Sequence, residues 1–134
     1  MMECIEKADS NSEKAGIIMK IIKQPIQLTD LSKLEQEMFF NEDEMVKAVA
    51  DIEQGTLALN APLHSDLEEM LLENGSSQAS LYGFNIYFDG EIEYDSMINP
   101  PRNRAAGYPR VGRDVADPHA RERIQEIVRQ WIKN

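Results

Sequence analysis

Arg102, Arg104, Arg110 and Arg113 lie in the run NPPRNRAAGYPRVGR over residues 99–113, and they are the first four arginines of a 134-residue chain. The planar guanidinium fork holds a carboxylate or phosphate through two hydrogen bonds, where lysine offers a point charge. All four basic side chains of the run are Arg, so the segment reads as an anion-holding loop. The N-terminus of the helix that follows would add positive potential, although Asp114 and Asp117 compete for that same helix end. The bland alternative is that these arginines stay solvated or pair with the protein's own acids.

Glu91, Glu93 and Asp95 alternate, which on a strand places them on one face where they repel unless something positive lies over them. The arginine segment, a hard divalent cation or a basic partner could serve, and the first is favoured because the segment begins four residues after Asp95. No ligand spacing specifies a metal, and neither a metal nor a cofactor is expected. Asn85 and Tyr87 share this polar face, against a plain solvated face as the alternative.

His64, followed by Asp66 and Glu68, is a candidate for proton transfer, with Asp95 or Glu93 as base. A surface or capping role is the ordinary reading for it and for His119. No glycine-rich phosphate loop, nucleophile elbow, HExxH or paired CxxC occurs.

The elements that must position these residues follow from the apolar pattern. Residues 1–16 are a polar leader expected to be disordered, and residues 17–134 are expected to form one domain. Ile17 to Ile22 is a predicted strand, and Thr29 opens a predicted helix to about Phe39. Met45 to Ile52 and Thr56 to Leu59 flank Glu53-Gln54-Gly55 as a hairpin. Ser65-Asp-Leu-Glu68 is a capping box for a helix over about 65–74, with Leu63, Leu67, Met70 and Leu71 as its buried stripe and Gly75 as its end.

Leu81 to Tyr87 and Glu91 to Asn99 form a second predicted hairpin. A three-residue turn, Phe88-Asp89-Gly90, pairs Ile86 with Ile92, Phe84 with Tyr94 and Tyr82 with Ser96, keeping acids off the aromatic face. The segment from Asn99 to Ala116, with three prolines and two glycines, reads as a connection without secondary structure. Asp117 and Pro118 then start a helix with Ile124, Ile127, Val128, Trp131 and Ile132 on its buried face. The order β-α-β-β-α-β-β-α predicts an α+β fold with a mainly antiparallel sheet.

Charge is distributed unevenly. Residues 1–101 carry 6 Lys, no Arg and 20 acids, a net of −14, and residues 102–134 carry 7 Arg, 1 Lys and 4 acids, a net of +4. The formal −10 disfavours broad nucleic-acid binding. The single Cys4 excludes an intrachain disulfide and fits a reducing, cytoplasmic setting. No apolar run reaches the ~18 residues of a membrane span.

The runs MVKAVADI (45–52), LHSD (63–66), LYGFNI (81–86) and EYDSMIN (93–99), continued by Asn103-Arg104 and by Asp117-Pro118 with Arg121 and Ile124, resemble a small bacterial family of unknown function, cyanobacteria included. The resemblance spans about Met19 to the C-terminus and implies one intact domain without implying a mechanism. Its polar positions map to His64, Asp66, Asn85, Asp95, Ser96, Asn99, Asn103 and Arg104. Together with the arginine run, the expected ligand-binding set is Asn85, Asn99, Arg102, Asn103, Arg104, Arg110 and Arg113.

The first functional reading is a non-enzymatic binding or regulatory module for an anionic small molecule or an acidic protein. A second is a nucleotide or RNA phosphodiester hydrolase using His64, Asp95 or Glu93, and Arg104. A third is a homo-oligomer that hides a sheet edge or the Trp131 face.

Overall fold

A computed structural model describes residues 20–32 and 44–134. The expected leader, and the expected first helix beyond residue 32, lie outside the described residues; residues 30–32 are helical. The five strands of the main sheet are β1 (Lys20–Ile21), β3 (Met45–Asp51), β4 (Thr56–Leu59), β5 (Leu81–Tyr87) and β6 (Ile92–Glu93). They run in the order β1-β4-β3-β5-β6 and every pairing is antiparallel. Two further short strands, β2 (Ile26–Gln27) and β7 (Ile132–Lys133), pair in parallel. The helices are α1 (His64–Glu73), α2 (Asn99–Ala105) and α3 (Pro118–Trp131). This is the α+β architecture expected, with β2, β7 and α2 added.

Alternation along the strands divides the sheet into two faces. Val46, Ala48 and Ala50 of β3 join Leu57 and Leu59 of β4 and Tyr82, Phe84 and Ile86 of β5 against Ile124, Ile127 and Val128 of α3. On the other face Val49, Ala58 and Leu81 pack against Leu67 and Leu71 of α1. The apolar stripe of α1 covers this apolar part of the second face. Burial of the Tyr82 ring within the first cluster raises the pKa of its hydroxyl.

The apolar stripe of α3 recurs at helical spacing, and its N-terminus is capped as expected: the Asp117 carboxylate accepts from His119 N at 3.1 Å with Pro118 in the first turn. From this helix Trp131 Nε1 donates to Gly55 O (2.8 Å) and Arg123 Nε to Ile52 O (2.9 Å), holding the β3–β4 turn. Gly55 there has φ +78°, the left-handed conformation that glycine adopts without steric cost.

At α1 the expected capping box does not form. The helix starts one residue early, Leu63 stands at the cap in extended conformation without a side-chain bond, and Glu68 turns away to Arg102. Leu63 is 57% exposed and does not belong to the buried stripe. The C-terminal end is as expected, with Gly75 at φ +99° and the paired bonds Ser76 N to Leu71 O and Gly75 N to Leu72 O.

The β5–β6 turn has the expected length, because Ile86 pairs with Ile92. The strand expected to reach Asn99 stops at Glu93, so the Phe84–Tyr94 and Tyr82–Ser96 strand pairs are not made. The expected structureless connection is also corrected, since residues 99–105 are helical with prolines in the first turn. Proline lacks an N–H, but first-turn N–H groups have no intrahelical partner in any case. Among the described residues no helix is long and apolar enough to cross a membrane.

Candidate functional site

Strand β5 needs partners along its β6 side. Tyr87 N donates to Glu91 O and Asn85 pairs with Glu93, after which β6 ends. The next groups on that edge are met by side chains of α2. The Asn99 amide accepts from Gly83 N and donates to Gly83 O, both at 2.9 Å, standing in for a strand peptide. Arg102 continues the edge, its Nε donating to Leu81 O (3.0 Å) and Gln78 O (3.1 Å), Nη1 to Ile98 O (2.9 Å) and Nη2 to the Glu68 carboxylate. One turn of α2 therefore supplies Asn99 and Arg102 at a spacing of three, both on one helix face.

Asn103 performs a similar task for the chain beyond the helix. Its Nδ2 donates to Gly112 O and Asp114 O and its Oδ1 accepts from Ala116 N, which ties residues 112–116 to α2. Asn99, Arg102 and Asn103 are all buried. The structure thus spends three of the seven sequence-derived ligand residues on holding the arginine segment against the sheet.

The remaining three arginines differ from Arg102. Arg113 Nε pairs with Asp95 Oδ1 at 2.6 Å, an exposed contact that also brings Nη1 to Met97 Sδ, so Asp95 is partly neutralised by the arginine segment as its position suggested. Arg104 and Arg110 are exposed, and no ion pair among the described residues engages either. The expected anion seat at the N-terminus of α3 is filled by Asp117, while Asp114 pairs with Arg121 at 2.6 Å. Arg121 also lies over the Tyr94 ring, 4.2 Å from its centroid.

The second candidate region is the polar part of the sheet face beneath the N-terminal end of α1. Lys47, Asn85 and Glu93 stand in one row across β3, β5 and β6. Asn85 Nδ2 donates to Glu93 Oε1 (2.9 Å), which also accepts from Tyr87 Oη (3.3 Å). His64, at the first position of α1, lies over this row. A Cβ added at Gly83 would meet Ser96 Cβ at 2.7 Å and His64 Cδ2 at 3.2 Å, so the absence of a side chain there lets both residues close on the strand.

His64 Nε2 donates to Phe84 O at 2.8 Å. A carbonyl only accepts, so Nε2 carries the hydrogen and Nδ1 keeps its lone pair. Burial pushes the imidazole pKa down to about 4, with Lys47 adding to the effect; the Phe84 carbonyl, the Asn85 side chain and Asp95 act in the opposite direction. Among the described residues three buried side-chain atoms lack a hydrogen-bond partner: Asn85 Oδ1, Asp51 Oδ2 and Thr56 Oγ1.

His64, Asn85, Ser96 and Asn99 are thus gathered around Gly83, with Asp95 close enough to influence the imidazole. Their separation in sequence hid this; the available signal was the glycine at position 83 within an apolar strand, a mark of close backbone or side-chain approach. Glu91 lies instead beside a groove of about 530 Å³ lined with Tyr94, Gln125 and Arg129. Among the described residues no three His, Cys, Asp or Glu side chains converge as metal ligands.

The model of one protein family, described as "Protein of unknown function (DUF5674)", matches residues 20–131. No curated protein and no solved structure matches the chain.

Proposed function

The chain belongs to the DUF5674 family, whose description assigns no activity, and from the geometry of the chain itself we propose a non-enzymatic binding or regulatory module that presents Arg104 and Arg110 to carboxylate or phosphate groups. One observation carries this reading. Asn99, Arg102 and Asn103 anchor α2 and the following segment to the sheet, while Arg104 and Arg110 project without an ion-pair partner among the described residues. Two guanidinium forks on an anchored support lose less entropy on binding than forks on a mobile loop. The four-arginine reading contracts to these two because Arg102 is committed to Glu68 and Arg113 to Asp95.

The body of the protein, at −10, repels anions at long range, so recognition rests on short-range bidentate contacts. The test is calorimetric titration of the full chain with hexaglutamate and, separately, with tripolyphosphate, at low and moderate salt. Binding that weakens at least ~10-fold in the Arg104→Ala/Arg110→Ala double variant supports the proposal. Binding of neither probe, or equal binding by the double variant, overturns it. The probe that binds more tightly identifies the partner's anionic group.

The hydrolase reading has less support. A proton-transfer histidine works best with a pKa near the operating pH, and His64 is held at about 4 with Nε2 occupied by Phe84 O. For the homo-oligomer reading, the Trp131 indole is partly buried against the core and donates to Gly55 O, which leaves only part of it for a symmetric contact.

A further inference from the structure

We infer that the outer edge of β6 and the facing side of α3 form a docking groove for an extended peptide in which one β-branched apolar residue is flanked by lysines. Among the described residues β6 is the last strand of the sheet. Tyr87 N donates to Glu91 O at 2.9 Å, and hydrogen-bonded and non-hydrogen-bonded pairs alternate along an antiparallel ladder. The Ile86–Ile92 pair is therefore non-hydrogen-bonded, and the Ile92 N–H and C=O point away from β5. Neither meets a partner among the described residues. Side chains of α2 finish the β5 edge, whereas the β6 edge stays open.

Room for a chain lies beside that edge. A groove of about 530 Å³ runs between Ile92 and Tyr94 on the strand and Gln125, Val128 and Arg129 on the helix, a volume within the range of ligand sites. At one end Gln125 Nε2 donates to Tyr94 Oη (3.2 Å), bridging the two walls. A strand laid antiparallel along β6 exchanges both backbone hydrogen bonds with Ile92 and turns the side chain opposite it toward α3, onto Ile92 and Val128. A β-branched residue suits that position.

Charge selects the flanking residues. Glu91 and Glu93 alternate with Ile92, so they belong to the opposite face, and both are exposed. The peptide residues on either side of the apolar one fall opposite these two carboxylates, and lysine there makes two cross-strand pairs. Arg129, exposed on the helix wall and in no ion pair among the described residues, disfavours lysine on the α3 face. A second copy of the chain is a poor occupant, because pairing two β6 edges at Ile92 sets Glu91 of each against Glu93 of the other in bodies already at −10. The groove shares no residue with the Arg104–Arg110 reading, and the two are tested independently.

The experiment is an NMR titration of the full chain that follows the Ile92 amide. The probe is acetyl-TKVKT-amide; its controls are the same peptide with an N-methylated valine, which lacks the N–H for Ile92 O, and acetyl-TEVET-amide. The expected result is a saturable shift of the Ile92 amide and its slower exchange with solvent, with no saturation by either control. Glu91→Lys, at an exposed position, should weaken binding at least ~3-fold. No saturable shift, equal binding of either control, or equal binding by Glu91→Lys would overturn the proposal. An Ile92 amide that shifts with protein concentration alone would also overturn it, by placing a second copy on the edge.

Discussion

His64 shows how one residue type changes meaning with burial. In sequence it is a titratable side chain beside two acids; in the fold it is a neutral donor to Phe84 O, held at about 4 against an ordinary 6.5. Between these values the unfolded chain binds a proton that the folded chain does not, so stability is retained above pH 6.5 and falls as pH drops toward 4. The loss attributable to this residue is on the order of 3 kcal/mol. Urea midpoints from pH 7 to pH 4.5 should fall more steeply for the parent protein than for His64→Gln, and parallel slopes would contradict the assignment.

At the scale of elements, α2 is the feature on which most depends. It replaces the missing length of β6 with an amide and a guanidinium, so the β5 edge is covered without a further strand. Its arginines therefore differ in consequence. Arg102→Ala would leave Glu68 without its counter-charge and the carbonyls of Leu81 and Gln78 without their donor; a buried pair broken on one side costs about 3–5 kcal/mol. Arg113→Ala breaks a pair whose side chains are 53% and 42% exposed, which is worth less than about 1 kcal/mol. Equilibrium denaturation of the two variants should separate them clearly, and similar losses would show that α2 does not depend on Arg102.

For the whole molecule, charge imbalance acts on stability and on binding with opposite sign. A net of −10 means mutual repulsion among acids that salt relieves, whereas the contact of Arg104 and Arg110 with an anion is weakened by the same salt. Raising salt from about 20 to 200 mM should lift Tm by about 2–4 °C while lowering tripolyphosphate affinity. Differential scanning calorimetry paired with the titration measures both. A Tm that falls with salt would mean that ion pairs, rather than repulsion, dominate the surface.

Local chemistry determined much of this protein. The Asp117-Pro118 start of α3, the left-handed Gly55 and Gly75, and the β5–β6 register set by Ile86 and Ile92 all depend on neighbours within one or two turns of chain, so the sequence makes them legible. The polar face of Asn85, Glu93 and Tyr87 follows from the same register. Tertiary structure alone decided the fate of Asn99, Arg102 and Asn103, because most of their partners lie 9 to 34 residues away; the need that Asn99 and Arg102 meet, an unfinished strand edge, exists only once β6 has stopped, and Asn103 ties down a segment that follows the helix. It likewise brought His64 onto Asn85, 21 positions later, since only the packing of α1 on the sheet lowers an imidazole against a buried amide. Alternation and capping are short-range constraints written residue by residue, whereas the pairing of buried polar groups is settled by which surfaces meet.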